Sequence, residues 1–238
     1  SIRCVPQVHG AVLDALGYIR RVLEIEVNSA TDNPLVFAEG TSVDPATAAT
    51  GGGRVLSGGN FHGAPVALAM DLLAIALTDL GSLSERRIAQ LVDGRTSGLP
   101  AFLTEGAGIN SGLMLFQYTA AALVSEGKVL AHPASVDSVP TSADQEDHVS
   151  MGPIAARQAR DVVRNVETVI ALELLCAAQG LDFRRRDWPA PGRGVGRAHA
   201  LVREVVEHLE GDREPGPDIG AAMEIVRSGA LARLVKEL

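Results

Sequence analysis

From Ala64 to Leu80 this chain is apolar on nearly every helical face: Val66, Leu68, Met70, Leu72, Leu73, Ile75, Leu77 and Leu80 leave Asp71 and Asp79 as the charges. A helix that is hydrophobic all round must be surrounded by protein. Neighbouring segments can supply the surroundings. Hydrophobic residues make up 46% of the 238 positions but aromatics only 3%, so the core is Leu, Val, Ile and Ala. Such a core suits close-packed helices better than β-sandwiches.

The other segments agree. Val12, Leu16, Ile19, Leu23 and Val27 recur at three- and four-residue steps, with Pro6 near the start, and read as an amphipathic helix. Asn28 to Pro34 breaks it. Leu35-Val36-Phe37 and Val55-Leu56-Ser57 read as a short hairpin, and residues 40–53, ending in Gly51-Gly52-Gly53, as a mobile loop between them. The apolar helix continues amphipathically from Leu83 to Leu91, with Glu85, Arg86 and Arg87 on an exposed face, and stops at Asp93-Gly94. A third helix spans about Ser111 to Leu130. A fourth runs from Val149 or Pro153 to Gln179, with Gly180 as a C-terminal cap. Residues 184–192 read as a basic, Pro/Gly-rich loop, followed by helices over Ala198–Leu209 and Asp218–Val226 and a short one from Gly229.

The expectation is an all-α protein: a bundle of long helices with one short β-hairpin. Residues 1–180 form the bundle and residues 181–238 a peripheral helical tail. The apolar surface exceeds what one chain can cover, so the bundle is expected to be shared between subunits.

Composition narrows the function. A net charge of −8 argues against nucleic acid as a partner. The two cysteines, Cys4 and Cys176, lack metal-ligand spacing and fit a reducing, cytoplasmic setting. The six histidines show no zinc spacing, so no metal is expected. No phosphate loop occurs, and Gly192-Arg193-Gly194-Val195-Gly196 follows a Pro-rich loop rather than a strand. The charge-free run Gly106–Ser125 carries Asn110, Gln117 and several glycines, and reads as a core helix rather than a membrane span. The first residue is Ser1, and Arg3, Cys4, Pro6, Gln7 and His9 follow at once; this reads as the middle of a larger protein.

Three spots carry chemistry. Arg3 stands at a helix entrance, where its guanidinium matches a carboxylate or serves a structural ion pair. In Gly58-Gly59-Asn60-Phe61-His62-Gly63 the glycines allow close backbone approach and Phe61 offers a ring for stacking; the alternative is Asn60 as a helix cap with Phe61 as its staple. Asp144-Gln145-Glu146-Asp147-His148 carries more charge than a cap needs, although Ser142 or Asp144 could cap. An Arg, an aromatic and a carboxylate suit a substrate with a carboxylate, a ring and an amine.

These stretches together resemble the aromatic amino acid lyase family. The resemblance rests on Ser-Ile-Arg-Cys-Val-Pro-Gln-Val-His-Gly (1–10), Asn-Ser-Ala-Thr-Asp-Asn-Pro-Leu (28–35), Ser-Gly-Gly-Asn-Phe-His-Gly (57–63) and Thr-Ser-Ala-Asp-Gln-Glu-Asp-His-Val-Ser-Met (141–151). Within the family, Gly-Asn-Phe-His and Gln-Glu-Asp-His are similar to the lyases that act on histidine. The resemblance implies an all-α homotetramer that eliminates ammonia from L-histidine to give trans-urocanate. Its electrophile would be a methylidene-imidazolone formed from an Ala-Ser-Gly triplet. By position, Arg3 would hold the substrate carboxylate and Phe61 would line the pocket. Glu146 would contact the imidazole or amino group and assist proton movement, with Gln145 and Asn60 in support. No Ala-Ser-Gly triplet occurs in these 238 residues, so the chain reads as the C-terminal half of such an enzyme, inactive without the other half. The alternatives are another lyase or aminomutase of the family, or a non-catalytic helical assembly subunit.

Overall fold

The computed structural model describes residues 2–38, 54–184 and 190–237. The expected mobile loop, residues 40–53, lies outside the described residues, as does most of the basic loop at 184–192.

Helices dominate. In chain order they are α1 (Val5–Val27), α2 (Ala64–Val92), α3 (Gly94–Ser97), α4 (Met114–Leu130), α5 (Gly152–Arg184), α6 (Arg193–Arg203), α7 (Gly216–Arg227) and α8 (Ala230–Lys236). Strands β1 (Leu35–Phe37) and β2 (Arg54–Leu56) pair antiparallel, Leu35 opposite Leu56 and Phe37 opposite Arg54. The all-α expectation with one hairpin holds. Helix α2 is continuous across both its all-apolar and its amphipathic parts. By length and composition it could cross a membrane, but two of its acidic groups, Asp71 and Glu85, are engaged by protein. Asp71 accepts from the Ser135 N–H at 2.7 Å, and Glu85 accepts from the Gln117 amide at 2.8 Å.

The chain divides into two compact units. The first holds residues 1–13, 74–132 and 158–238. Its core joins Ile88 and Val92 of α2, Phe116 and Ala120 of α4 and Val169, Leu172 and Cys176 of α5 to Val202, Leu209 and Ile225 of the tail. Close approach is bought by small residues: a Cβ on Gly81 would meet Val166 at 3.1 Å, and one on Gly127 would meet Thr78 at 3.4 Å. The tail beyond residue 181 is tied down by polar bonds as well. Asp182 accepts from His199 Nε2 at 2.5 Å, His208 Nδ1 at 2.8 Å and Arg203 Nη2 at 2.7 Å. Gln179, itself buried, donates to the carbonyls of Leu103 and Leu209. Burial pushes the Asp182 carboxyl up, but the bonds from His208, Arg203 and His199 outweigh it and hold the group below the usual carboxylate range. Asp212 is also held low, by the backbone N–H groups of Ser111 and Gly112 ahead of α4. Burial, helped by the nearby Glu173 charge, pushes the Cys176 thiol far up, so it behaves as a core side chain.

Three local expectations fail here. Glu85 is 3% exposed, not on a solvent face, because Gln117 on α4 satisfies it. Arg87 is half-buried on Glu173, which also accepts from Ser84 at 2.5 Å. Gly180 does not end α5, which runs on to Arg184; the glycine instead makes room for Leu99, which packs 3.1 Å from where its Cβ would be.

The second unit holds residues 14–73 and 133–157: most of α1, the hairpin, the start of α2, the crossing segment and the start of α5. Among its described residues, Ile19, Ala67, Ala69 and Ala155 form the buried apolar set. Around them Leu16, Tyr18, Ile25, Val27, Leu68 and Ile154 stay exposed. A core of one isoleucine and three alanines stabilises little by itself.

Candidate active site

Two of the three chemical spots belong to this second unit, and both are loops tied at their ends. The first begins after β2. Asn33 Oδ1 accepts from Ser57 Oγ and from the Gly58 N–H, each at 3.0 Å. The chain then turns, His62 N–H donating to Gly59 O at 3.0 Å, so Asn60 and Phe61 occupy the tip. Helix α2 starts only at Ala64, and Gly63 accepts its first backbone bond, from Ala67 at 2.9 Å. Asn60 is therefore not the helix cap; its side chain and Phe61 are left exposed at the turn. Phe61, 56% exposed, lines an open apolar groove of about 940 Å³ together with Asn60, Leu16, Ile19, Leu23 and Val66.

The second loop is Thr141–Glu146. Thr141 and Glu146 exchange backbone bonds, 2.9 and 3.3 Å, and the residues between them turn through the left-handed region. Ser142, Ala143 and Asp144 have φ of 51°, 54° and 67°. Three successive non-glycine residues there cost about 1 kcal/mol or more each. Strain of this kind collects where a loop must present particular side chains. Helix α5 begins at Gly152, so neither Ser142 nor Asp144 caps it. What the loop does instead is hold Gln145 and Glu146 out to solvent, the Glu146 carboxylate touched by Thr141 Oγ1 at 3.4 Å.

His62 joins the two loops. Its Nε2 lies 2.9 Å from the carbonyl oxygen of His148, and the two imidazole rings stack in parallel with centroids 5.5 Å apart. The Gly-Asn-Phe-His turn and the Gln-Glu-Asp-His loop are thus fastened at a point next to Phe61 and two residues beyond Glu146. In the sequence both histidines are simply the last residues of their motifs. Their contact joins residues 86 apart, which no local pattern exposes.

Arg3 belongs to the first unit. It is exposed, one residue before Cys4, whose carbonyl accepts the Val8 N–H at 3.1 Å as α1 begins. That unit also contains an apolar cavity of about 640 Å³, walled by Leu91, Leu99, Leu174, Leu181 and Val202. None of the five candidate residues lines it, and charges at its rim are already paired, Arg87 with Glu173 and Arg184 with Ser97 O. Among the described residues no group of three His, Cys, Asp or Glu side chains could hold a metal.

Similar proteins match along nearly the whole chain. The sequence pattern of the aromatic amino acid lyases matches residues 1–204. Histidine ammonia-lyase of Caldanaerobacter subterraneus subsp. tengcongensis is 57% identical over 237 residues, which is 100% of this chain and 44% of that protein. Its counterpart in Symbiobacterium thermophilum is 54% identical over 99% of this chain and 44% of its own length. A crystal structure of histidine ammonia-lyase from Trypanosoma cruzi superposes with a TM-score of 0.90 at 48% identity, covering 99% of this chain and 44% of that one. Tyrosine aminomutase from Streptomyces globisporus superposes with a TM-score of 0.87 at 41% identity, covering 100% of this chain and 43% of that one. The fold is the helical one shared by ammonia-lyases and aminomutases. The chain belongs to the aromatic amino acid lyase family, and it spans about 44% of the length of the curated relatives it matches.

Proposed function

We propose that this chain supplies one part of the active site of a histidine ammonia-lyase, which eliminates ammonia from L-histidine to give trans-urocanate. The observation that carries the reading is the His62–His148 contact, because it unites the two motifs typical of histidine lyases in one site. The strong identity to histidine ammonia-lyases supports it.

Each residue has a role set by its chemistry. Glu146, exposed on a strained loop, meets the imidazole or amino group of the substrate and assists proton movement. Phe61 offers its ring as the apolar wall of the pocket. Gln145 and Asn60 supply amide hydrogen bonds beside them, and Arg3 grips the substrate carboxylate with its guanidinium fork. Orientation and electrostatics of this kind lower the barrier for removing a weakly acidic β-proton. An exposed ring on an apolar groove, with the Asn60 amide on the same lining, fits a planar electrophile. The methylidene-imidazolone, made from an Ala-Ser-Gly triplet that these 238 residues lack, supplies that electrophile when present. Phe61 is the residue of this chain that would face it.

The same reading makes the N-terminal part of the lyase a partner of this chain and the assembled enzyme a cytoplasmic homotetramer. The exposed apolar faces of the second unit support the oligomer. Residues 1–180 then carry the shared bundle, and residues 181–238 form the outer tail.

The test compares the isolated chain with the complete protein on L-histidine. Urocanate from the complete protein and none from the chain is expected. Sustained turnover by the chain alone would refute the half-site. The likeness to tyrosine aminomutase favours one second reading, a family enzyme acting on another aromatic amino acid. Activity of the complete protein on tyrosine or phenylalanine but not histidine would establish it.

A further inference from the structure

We propose that His62 is a positioning residue that sets the spacing between Phe61 and Glu146. The proposal rests on the reading of this site as a lyase pocket.

Both ring nitrogens are engaged. Nδ1 accepts the Ala64 N–H at 3.3 Å, the first N–H of α2. A nitrogen that accepts carries no proton, so the proton sits on Nε2, which donates to the His148 carbonyl at 2.9 Å. The ring cannot rotate without losing both bonds, and the parallel ring of His148 covers one face of it. The accepting peptide is held from its other side too: the Val149 N–H, in the same peptide unit as the His148 carbonyl, donates to Ser138 Oγ at 2.8 Å. One rigid peptide is therefore fixed between Ser138 and His62. Phe61 precedes the clamp by one residue, and Glu146 precedes the clamped carbonyl by two. Few rotatable bonds separate either side chain from the fixed point.

Capping α2 needs no imidazole. Asn or Asp would accept the Ala64 N–H equally well. What only a longer, two-ended side chain can do is cap the helix and reach the other loop at once. Two substitutions separate these roles. Asn places its acceptor near the position of Nδ1, and Gln places its donor near that of Nε2. His62→Asn keeps the cap and loses the reach; His62→Gln keeps the reach and loses the cap.

In the complete protein, His62→Asn is expected to lower kcat about tenfold to hundredfold, the scale of a small misplacement of catalytic groups. KM and the melting temperature should change little, and His62→Gln should keep kcat close to that of the parent. Backbone amides of residues 146–149 should exchange faster with solvent in His62→Asn than in His62→Gln. Parental kcat in His62→Asn, or an equal loss in both variants, would overturn the proposal. A complete protein with no turnover of histidine would refute the lyase reading instead. The exchange experiment then decides the clamp, because equal protection of 146–149 in the two variants overturns it without reference to activity.

Discussion

Asp182 and Arg203 share two hydrogen bonds, from Nε at 3.0 Å and Nη2 at 2.7 Å, both to Oδ2 of the carboxylate. They tie α6 to the last turn of α5, with His199 and His208 on the same carboxylate. Removing the carboxylate leaves the half-buried Arg203 guanidinium without its counter-charge, held only by the Val206 and Glu207 carbonyls and the Gln179 amide oxygen, so Asp182→Ala should cost about 3 kcal/mol. The pH dependence has a definite sign. The folded carboxyl titrates below its unfolded value, so its contribution is complete above about pH 4 and is lost as pH falls through the folded value. Asp182→Asn should therefore melt lower than the parent at pH 7, and the gap should close under acid. A gap that stays constant down to the acid transition would refute the account.

Gly112 stands at φ +55°, where a Cβ would meet Phe102 O at 2.5 Å and Thr104 Cβ at 2.7 Å. The left-handed backbone and the clash add, so Gly112→Ala should destabilise the chain by about 3 kcal/mol. Thermal melts of the two proteins test this directly. An unchanged midpoint would mean that the 102–104 turn relaxes without cost.

The exposed apolar residues of α1 lead to a third expectation. Ile25 is 64% exposed and Val27 81% exposed at the end of a long helix. If these faces are covered by other copies or by the rest of the polypeptide, Ile25→Asp should weaken assembly, since an aspartate buried in an apolar contact is unpaired. Sedimentation of the complete protein should then show smaller species at micromolar concentration. An unaltered distribution would remove this end of α1 from the interface.

Helix positions were legible because their pattern is local. Apolar steps of three and four residues placed α1, α2, α4 and α5 to within a few residues, and Leu35–Phe37 stood out between breakers. In the tail, α7 and α8 fall where the pattern predicts, but α6 spans Arg193–Arg203 rather than Ala198–Leu209, because Val202 gains a buried place in the core that outweighs the cost of Gly194 and Gly196. The solvent face assigned to Glu85 failed because its partner, Gln117, is 32 residues away. The site shows the same limit. Phe61 and Glu146 stood out as residue types, but the contact that relates them runs between His62 and a backbone carbonyl of His148, and a carbonyl has no sequence signature.

Glu146 is the residue on which the functional reading is most exposed to test. Its loop maintains three left-handed residues at positions 142–144, held by the backbone pair of Thr141 and Glu146. Residues in this region persist only where the surrounding structure holds them, and they collect at functional sites. The carboxylate it presents touches Thr141 Oγ1 at the long distance of 3.4 Å and is otherwise turned to solvent, open to a ligand. In the complete protein, Glu146→Ala should lose roughly 10²–10³ in kcat, the usual scale for one preorganised polar group. The melting temperature should barely move, because the backbone pair with Thr141 survives the substitution. Steady-state urocanate formation measures the first and a thermal melt the second. An unchanged kcat would remove Glu146 from the chemistry, and a large fall in melting temperature would make its role one of folding.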